Sequence, residues 1–499
     1  MLAVVPSATL VGVAGHLVEV EVHSSGGLPG FTIVGQPDTA CREARDRVRA
    51  ALISSGEDWP NDRITVNLAP SDLKKTGAGL DLAMAIGILV AIGRIEPVAI
   101  EGLAFFGELG LDGSVRPVRG ALPLTDAVPE QAIVVAPENA AEVALLGRTV
   151  HPVATLGRVL DCLAGEARWP DAPQERPLVP EAHAIDLRDI RGQQIGKIAL
   201  ALAATGGHPL LMVGPPGAGK TMLAKRLPGL LPPLDESAAL EVSRVHSAAG
   251  VIDVSSLPMR LPPFRAPHHG ASAVSLVGGG ASSMRPGELS IAHRGVLFLD
   301  ELGEFAPAAL DGLRQPLEEQ EVRVVRAHAT AVYPADVLLV ASMNPCPCGE
   351  SGAPGACRCS PAQRSRYHRR VSGPLLDRFD LRIGVQRPCG ADLFGEPSGE
   401  SSAEVAQRVA HARNRAITRS GVVNGRLSPA ELDHFAPLDE PGRAILESAL
   451  SQGRLSARGV GRVRSVARTI ADLDDQDVVT ADHLCFAMSL RIDPFGVQR

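Results

Sequence analysis

The sequence predicts an α/β fold in three parts: an α+β block, a central block built on a parallel sheet, and an all-helical block. Three observations carry this reading. Apolar runs at 209–213, 295–299 and 337–343 each end on glycine or polar residues, as buried parallel strands do. Residues 17–23 and 63–68 instead alternate apolar and polar, as half-exposed strands do. Beyond Ala403 the chain turns rich in Ala, Arg, Leu and Glu, with helical periods over 403–419, 428–435, 441–451 and 459–472.

Taken in order, the first block runs over 1–165. Its charged, amphipathic stretch 39–53 predicts a surface helix, and 82–89 an apolar, buried one. Trp169-Pro170, Pro173, Pro177 and Pro180 then predict an extended, semi-rigid linker over 166–185. The central block follows over 186–395 and the helical block over 400–499. A chain of 499 residues has room for roughly three domains of ordinary size, and a hydrophobic content of 45% is enough for their cores. Its net charge of −7 does not mark a nucleic-acid binder in bulk. A local basic surface, or a ring that focuses its field into a pore, stays open. The N-terminus lacks a basic leader region, and the longest apolar run, 82–93, stops at Arg94, too short to span a bilayer. Eight cysteines in a long chain, four of them clustered, do not suggest an oxidised secreted protein. A cytoplasmic protein without membrane attachment is expected.

The central block opens on its most informative stretch. Gly214, Pro215, Pro216, Gly217, Ala218, Gly219, Lys220 and Thr221 fit G-x-x-x-x-G-K-[ST], between the 209–213 run and a helical 222–227. The glycines permit the tight turns that aim successive N–H groups at a phosphate chain, and Met222 continues from the loop into the helix. Lys220 is placed to meet the β/γ-phosphates, and the Thr221 hydroxyl to hold Mg²⁺. Asp300 and Glu301 end the next apolar run. A carboxylate at a strand's C-terminal end sits beside the phosphate loop in a parallel sheet, so Asp300 is expected on Mg²⁺ and Glu301 on the attacking water. Asn344 ends the third run, where it can orient that water.

Between the second and third runs, 321–332 alternates like a hairpin, with Arg323, Arg326 and His328 facing outward as either a solvated face or a substrate-contacting loop. Cys346, Cys348, Cys357 and Cys359 form C-x-C-x₈-C-x-C, which reads as a tetrahedral Zn²⁺ site or as four reduced thiols in a turn-rich insertion. Cys41, Cys162, Cys389 and Cys485 read as isolated buried thiols. Arg364, Arg366, His368, Arg369 and Arg370 then make a basic run fit for phosphate backbone, a neighbouring subunit or solvent. Arg378 follows a short helical turn, and in a ring ATPase an arginine there reaches the neighbour's γ-phosphate. Arg458 lies where a helical lid would close over nucleotide.

This order of motifs resembles the magnesium-chelatase-like AAA+ ATPases, and more narrowly the ComM/YifB family, over nearly the whole chain. The stretches 31–40, 265–270, 286–301 and 372–380 carry the likeness most specifically. The resemblance implies a Walker A loop at 214–221, a Walker B pair at Asp300 and Glu301, and a first sensor at Asn344. It further implies an arginine finger at Arg378, a second sensor at Arg458, and Gln193 in a turn near the adenine, with ATP and Mg²⁺ as ligands. ComM proteins are hexameric helicases that drive branch migration, so the resemblance implies a homo-hexamer acting on branched or single-stranded DNA. His268 and His269 would then belong to a pore-facing insert, or be satisfied structural histidines. The first block resembles the Lon protease domain without its Ser-Lys dyad: the serine position falls on Gly79 and the lysine position on Leu122. With neither nucleophile nor base, peptide hydrolysis has no chemistry available. That block is expected to be a scaffold or a DNA-contacting collar. An ATP-driven DNA motor leads the function classes, ahead of a chelatase-type ATPase that remodels a protein partner. The resemblance gives chelatase motors no such N-terminal block, which counts against the second class.

Overall fold

The computed structural model describes residues 1–172, 185–280, 284–326, 329–351, 356–394 and 399–493. Pro173, Pro177 and Pro180 of the expected linker, and His328 of the expected hairpin, lie outside the described residues. Within the N-terminal block four strands order as Leu2–Val11, Ala14–Ser25, Arg63–Ala69 and Gly30–Val34. The pairs are antiparallel except the last, which is parallel. Alternation sets the sheet's inner face: Val18, Val20 and Val22 are buried while Glu19 is exposed. The helix Asp81–Ala91 is buried along its whole length against this sheet, so its residues are apolar on every side. The one acid among them, Asp81, is held by Arg47 through Nε at 2.6 Å and Nη2 at 3.0 Å. Thr39–Ser54 buries Cys41, Ala44, Val48, Ala51 and Leu52 and exposes its charged face, with Asp38 accepting from the Cys41 N–H as its N-cap. A smaller parallel sheet, Leu103–Phe105, Ala132–Val135 and Thr149–Pro152, completes the block.

The central block is a five-stranded parallel sheet in the order Phe264–Arg265, Val296–Leu299, Leu338–Met343, Leu210–Val213, Leu381–Gly384. Alternate residues feed opposite cores. Leu210, Met212, Phe298 and Val340 face the helix Gln194–Gly206 and the C-terminal helices, while Leu211, Leu297, Leu299 and Leu339 face the 289–313 segment and the hairpin. The C-terminal ends of the three strands with predicted site residues are adjacent, because Leu338–Met343 lies between Val296–Leu299 and Leu210–Val213. The hairpin is present as Glu321–Arg326 paired antiparallel with Ala329–Pro334. Its buried side, Val322, Val324 and Tyr333, is core, whereas Arg323 and Arg326 are exposed.

The C-terminal block holds the four expected helices, Ser402–Ser420, Pro429–Phe435, Glu440–Ser451 and Ala457–Leu473, and a fifth, Ala481–Ser489, that periodicity did not predict. Its first and last helices begin on capping boxes, Ser401 with Glu404 and Thr480 with His483. Buried charge joins this block to the sheet. His208 Nδ1 lies 2.8 Å from the Asp380 carboxylate and its Nε2 2.8 Å from Thr469, while Arg462 donates to Asp380 and to the Arg378 carbonyl. Asp472, fully buried, accepts from Arg419, Asn424 and Arg468.

The N-terminal block packs on the helix Glu236–Ala249 of the central one. The Gly120 and Leu122 N–H groups donate to the Ser247 carbonyl and hydroxyl, at 3.0 and 3.3 Å, and Arg244 pairs with Asp126 at 2.9 Å. Two expectations are corrected. Cys389 and Cys485 are exposed rather than buried, the latter because His483, Leu484 and Ala487 take the inward face of its helix. The first residues of the expected linker are not extended free chain: Trp169 stacks on His151 with ring centroids 4.7 Å apart and packs against the N-terminal core. Among the described residues no helix is long and apolar enough to cross a membrane.

Candidate active site

The loop 214–219 leaves the Leu210–Val213 strand and turns into the helix Lys220–Arg226. Gly214 has no room for a side chain, since a Cβ there would overlap the Val385 carbonyl. Gly217 and Gly219 have φ of 76° and 90°, and a Cβ on either would meet nothing within 4 Å, so this side of the loop is open. An open, glycine-rich turn of this kind presents its N–H groups to an anion. Lys220 is buried at the loop's end and donates to the Gly214 and Pro215 carbonyls at 2.7 and 2.9 Å, and to Asn344 Oδ1 at 3.2 Å. Burial pulls its pKa below the ordinary lysine value, with Asp300 and Glu301 opposing that shift. Its partners are carbonyl dipoles, which a phosphate's full charge would outbid.

The acids arrive from the next strand but one. Thr221 Oγ1 donates to Asp300 Oδ2 at 2.8 Å, so the hydroxyl and carboxylate converge as an octahedral Mg²⁺ requires of two of its oxygen ligands. Ser342, fully buried near the end of Leu338–Met343, donates to the other Asp300 oxygen and fixes the carboxylate's rotation. Glu301 takes φ of 54°, uncommon outside glycine, and its N–H bonds back to Asp300 at 3.1 Å. That turn sends its side chain outward, where the carboxylate meets His269 Nδ1 at 3.1 Å. Gln193, also at positive φ, reaches from the other side to the Ala218 carbonyl at 2.9 Å and to that of Gln386.

Consecutive Lys220 and Thr221 thus bond two different strand ends, Lys220 to Asn344 and Thr221 to Asp300, with Asp300 also accepting from the Glu301 N–H and Gln193 holding the loop. Arg378 and Arg458 are not bonded to these residues among the described ones. Arg378 pairs with Glu318, and Arg458 is exposed at the start of the helix Ala457–Leu473. Ser342 and His269 are additions to the sequence-derived set. A small polar residue in an apolar strand was the only local sign of Ser342, and nothing near His269 in sequence foretold Glu301 as its neighbour.

The four cysteines also come together, with all four Sγ atoms within 4.8 Å of one another. Cys346 Sγ lies 3.3 Å from Cys348 and 3.8 Å from Cys357, and Cys348 lies 3.7 Å from Cys357. A tetrahedron with Zn–S near 2.3 Å has edges of about 3.8 Å, whereas a disulfide needs about 2.05 Å, so the spacing fits a shared metal and not a bond. Backbone N–H groups of Glu350 and Arg358 face Cys348 and pull its thiol down to about 6, while burial pushes Cys346 up to about 12. In the basic run that follows, Arg370 pairs with Glu304 at 2.9 Å and His368 bonds the Pro345 carbonyl, so part of it is structural.

Three family models match consecutive parts of the chain. They are described as subunit ChlI of Mg-chelatase over 20–139, magnesium chelatase subunit ChlI over 186–393, and the ChlI C-terminal region over 399–491. The chain is 43% identical to the uncharacterised protein YifB of Escherichia coli over 494 residues, covering 98% of this chain and 97% of that one. It is 42% identical to the competence protein ComM of Haemophilus influenzae over 503 residues, with coverage of 98% and 97%. An uncharacterised protein of Mycobacterium tuberculosis is 43% identical over 494 residues, 97% of each chain.

Proposed function

This chain belongs to the ComM/YifB family of magnesium-chelatase-like AAA+ ATPases, and from that premise we propose an ATP-hydrolysing ring motor that acts on branched or single-stranded DNA. One observation carries the ATPase part: consecutive Lys220 and Thr221 bond Asn344 and Asp300, respectively, at adjacent ends of parallel strands. The residues divide the work. Loop N–H groups and Lys220 hold the phosphates, while Thr221 and Asp300, aligned by Ser342, hold Mg²⁺. Bound there, the ion neutralises charge that develops on the transferred phosphoryl group. Glu301 takes the proton from the attacking water, and Asn344 orients that water. Gln193 lies beside the loop where the base would dock. Arg378, pointed away to Glu318 within its own chain, suits a site completed by a neighbour, hence a homo-hexamer. Arg458 belongs to the helical block that closes on the nucleotide. The four thiols suit a structural Zn²⁺, and action on DNA suits the cytoplasm.

The relative named a competence protein supports DNA as the substrate. A second reading, an ATPase that remodels a protein partner as chelatase subunits do, is favoured by a specific observation. The N-terminal block itself matches a model described as subunit ChlI, so its presence no longer counts against that class. A Lon-like protease is disfavoured by Gly79 and Leu122. The separating experiment measures ATP turnover with a four-way DNA junction, single-stranded DNA or no DNA. Stimulation with strand exchange supports the motor, and turnover indifferent to every DNA form moves the reading to protein remodelling. Glu301→Gln should abolish turnover and keep nucleotide binding; an active variant would sink the site assignment.

A further inference from the structure

The cysteine cluster sits against the phosphate loop, and the contacts between them are specific. Cys346 follows Asn344 by two residues, so the cluster begins where the site's own strand ends. The turn from Cys346 to Ser351 closes through the Gly349 N–H to the Cys346 carbonyl at 2.9 Å. Gly349 is buried at φ of 79°, and a Cβ there would overlap Pro216, the loop residue two before Ala218. Backbone of the cysteine turn thus packs directly on the Pro216 ring of the phosphate loop, with no room for a side chain at Gly349. The next residue adds a bridge: Glu350 accepts from Arg387 Nη2 at 2.6 Å, and Arg387 Nε donates to the Pro216 carbonyl at 3.1 Å. Pro216 is otherwise exposed, so these are contacts on its outer side.

The geometry points to a metal-braced phosphate loop: Cys346, Cys348, Cys357 and Cys359 take one Zn²⁺ or similar thiophilic divalent ion, and the ion holds Gly349 and Glu350 against Pro216 so that the loop keeps its nucleotide-binding shape. This rests on the ATP-site reading above and adds a partner to it. Four sulfurs at tetrahedral spacing select a soft metal over Mg²⁺, which takes oxygen. Backbone N–H groups from Glu350 and Arg358 supply the outer hydrogen bonds that thiolate ligands use. Without the ion nothing covalent closes the turn, since all four cysteines are free thiols. A loop that must order on binding loses affinity by the cost of that ordering, and the ion would meet this cost in advance.

The full chain, purified with zinc as the only added metal, tests both halves. Metal analysis should give one zinc per chain, and a fluorescent ATP analogue should bind. Removing zinc with a chelator should weaken that binding roughly tenfold while the circular dichroism stays that of the folded chain, and returning zinc should restore it. Gly349→Ala, which keeps all four thiols, should retain zinc and lose nucleotide affinity by a similar factor. A preparation without bound zinc overturns the site. Zinc that leaves with no change in nucleotide affinity, together with a Gly349→Ala that binds normally, overturns the brace. Zinc-loaded protein that binds no nucleotide would instead overturn the ATP-site reading, and the brace with it.

Discussion

Glu301 does not stand alone at the end of its strand. His269 holds its carboxylate at 3.1 Å, and a carboxylate engaged in this way is less free to take a proton from water. His269→Ala is expected to raise ATP turnover without DNA severalfold, with nucleotide affinity unchanged, as read by steady-state hydrolysis beside analogue binding. Ser342→Ala removes the bond that fixes the Asp300 carboxylate, so the Mg²⁺ concentration for half-maximal turnover should rise roughly tenfold. The difference between these two residues and Lys220, Thr221, Asp300 or Asn344 is also a difference in legibility. The latter lie in motifs whose spacing follows from a strand, a turn and a phosphate, so chemistry could be read along the chain. His269 lies 32 positions before Glu301 with no motif that contains both, and the parallel packing of Phe264–Arg265 beside Val296–Leu299 brings them together. The paired cysteines were legible as a set, but their seat on Pro216 was not, because glycine at 349 carries its meaning in backbone approach.

Among the elements, strands with continuous apolar runs and helices with a clear apolar period were readable, and the helix Ala481–Ser489 was not. Ala481–Ser489 turns only His483, Leu484 and Ala487 inward, too few positions to establish a period. The C-terminal helices also hold buried charge that periodicity treats as surface. Burial pushes the Asp472 carboxyl up, but hydrogen bonds from Arg419 and Asn424 and the Arg468 charge outweigh it and leave it below its ordinary value. Asp380 likewise ends low, its burial outweighed by His208 and Arg462. A carboxyl lowered in the folded state adds stability above its unfolded pKa of about 3.9, and this stability is lost as pH falls through the lower folded value. Acid titration followed by circular dichroism should therefore show the helical block failing below about pH 4. Asp472→Asn should flatten that acid limb and cost about 3–5 kcal/mol at neutral pH, because it strands the fully buried Arg468.

Across the whole molecule, the position that matches a protease's lysine serves as a joint. Leu122 is fully buried beside the helix Glu236–Ala249, and its N–H is taken by Ser247. Restoring the dyad's letters with Gly79→Ser and Leu122→Lys should therefore give no peptidase activity on an unfolded protein substrate. It should also lower the thermal midpoint by roughly 5 °C or more, since an ammonium would be buried at a packed interface. At the opposite end Asp380 is shared by His208, which precedes the phosphate-loop strand, and by Arg462, whose helix carries Arg458 in its first turn and which also grips the Arg378 carbonyl. The same carboxylate thus supports the helical block's attachment and the placing of both distant arginines. Variants along Ala457–Leu473 should accordingly fall on one line when turnover is plotted against melting temperature, whereas variants on the far face of the N-terminal sheet should scatter in melting temperature at constant turnover.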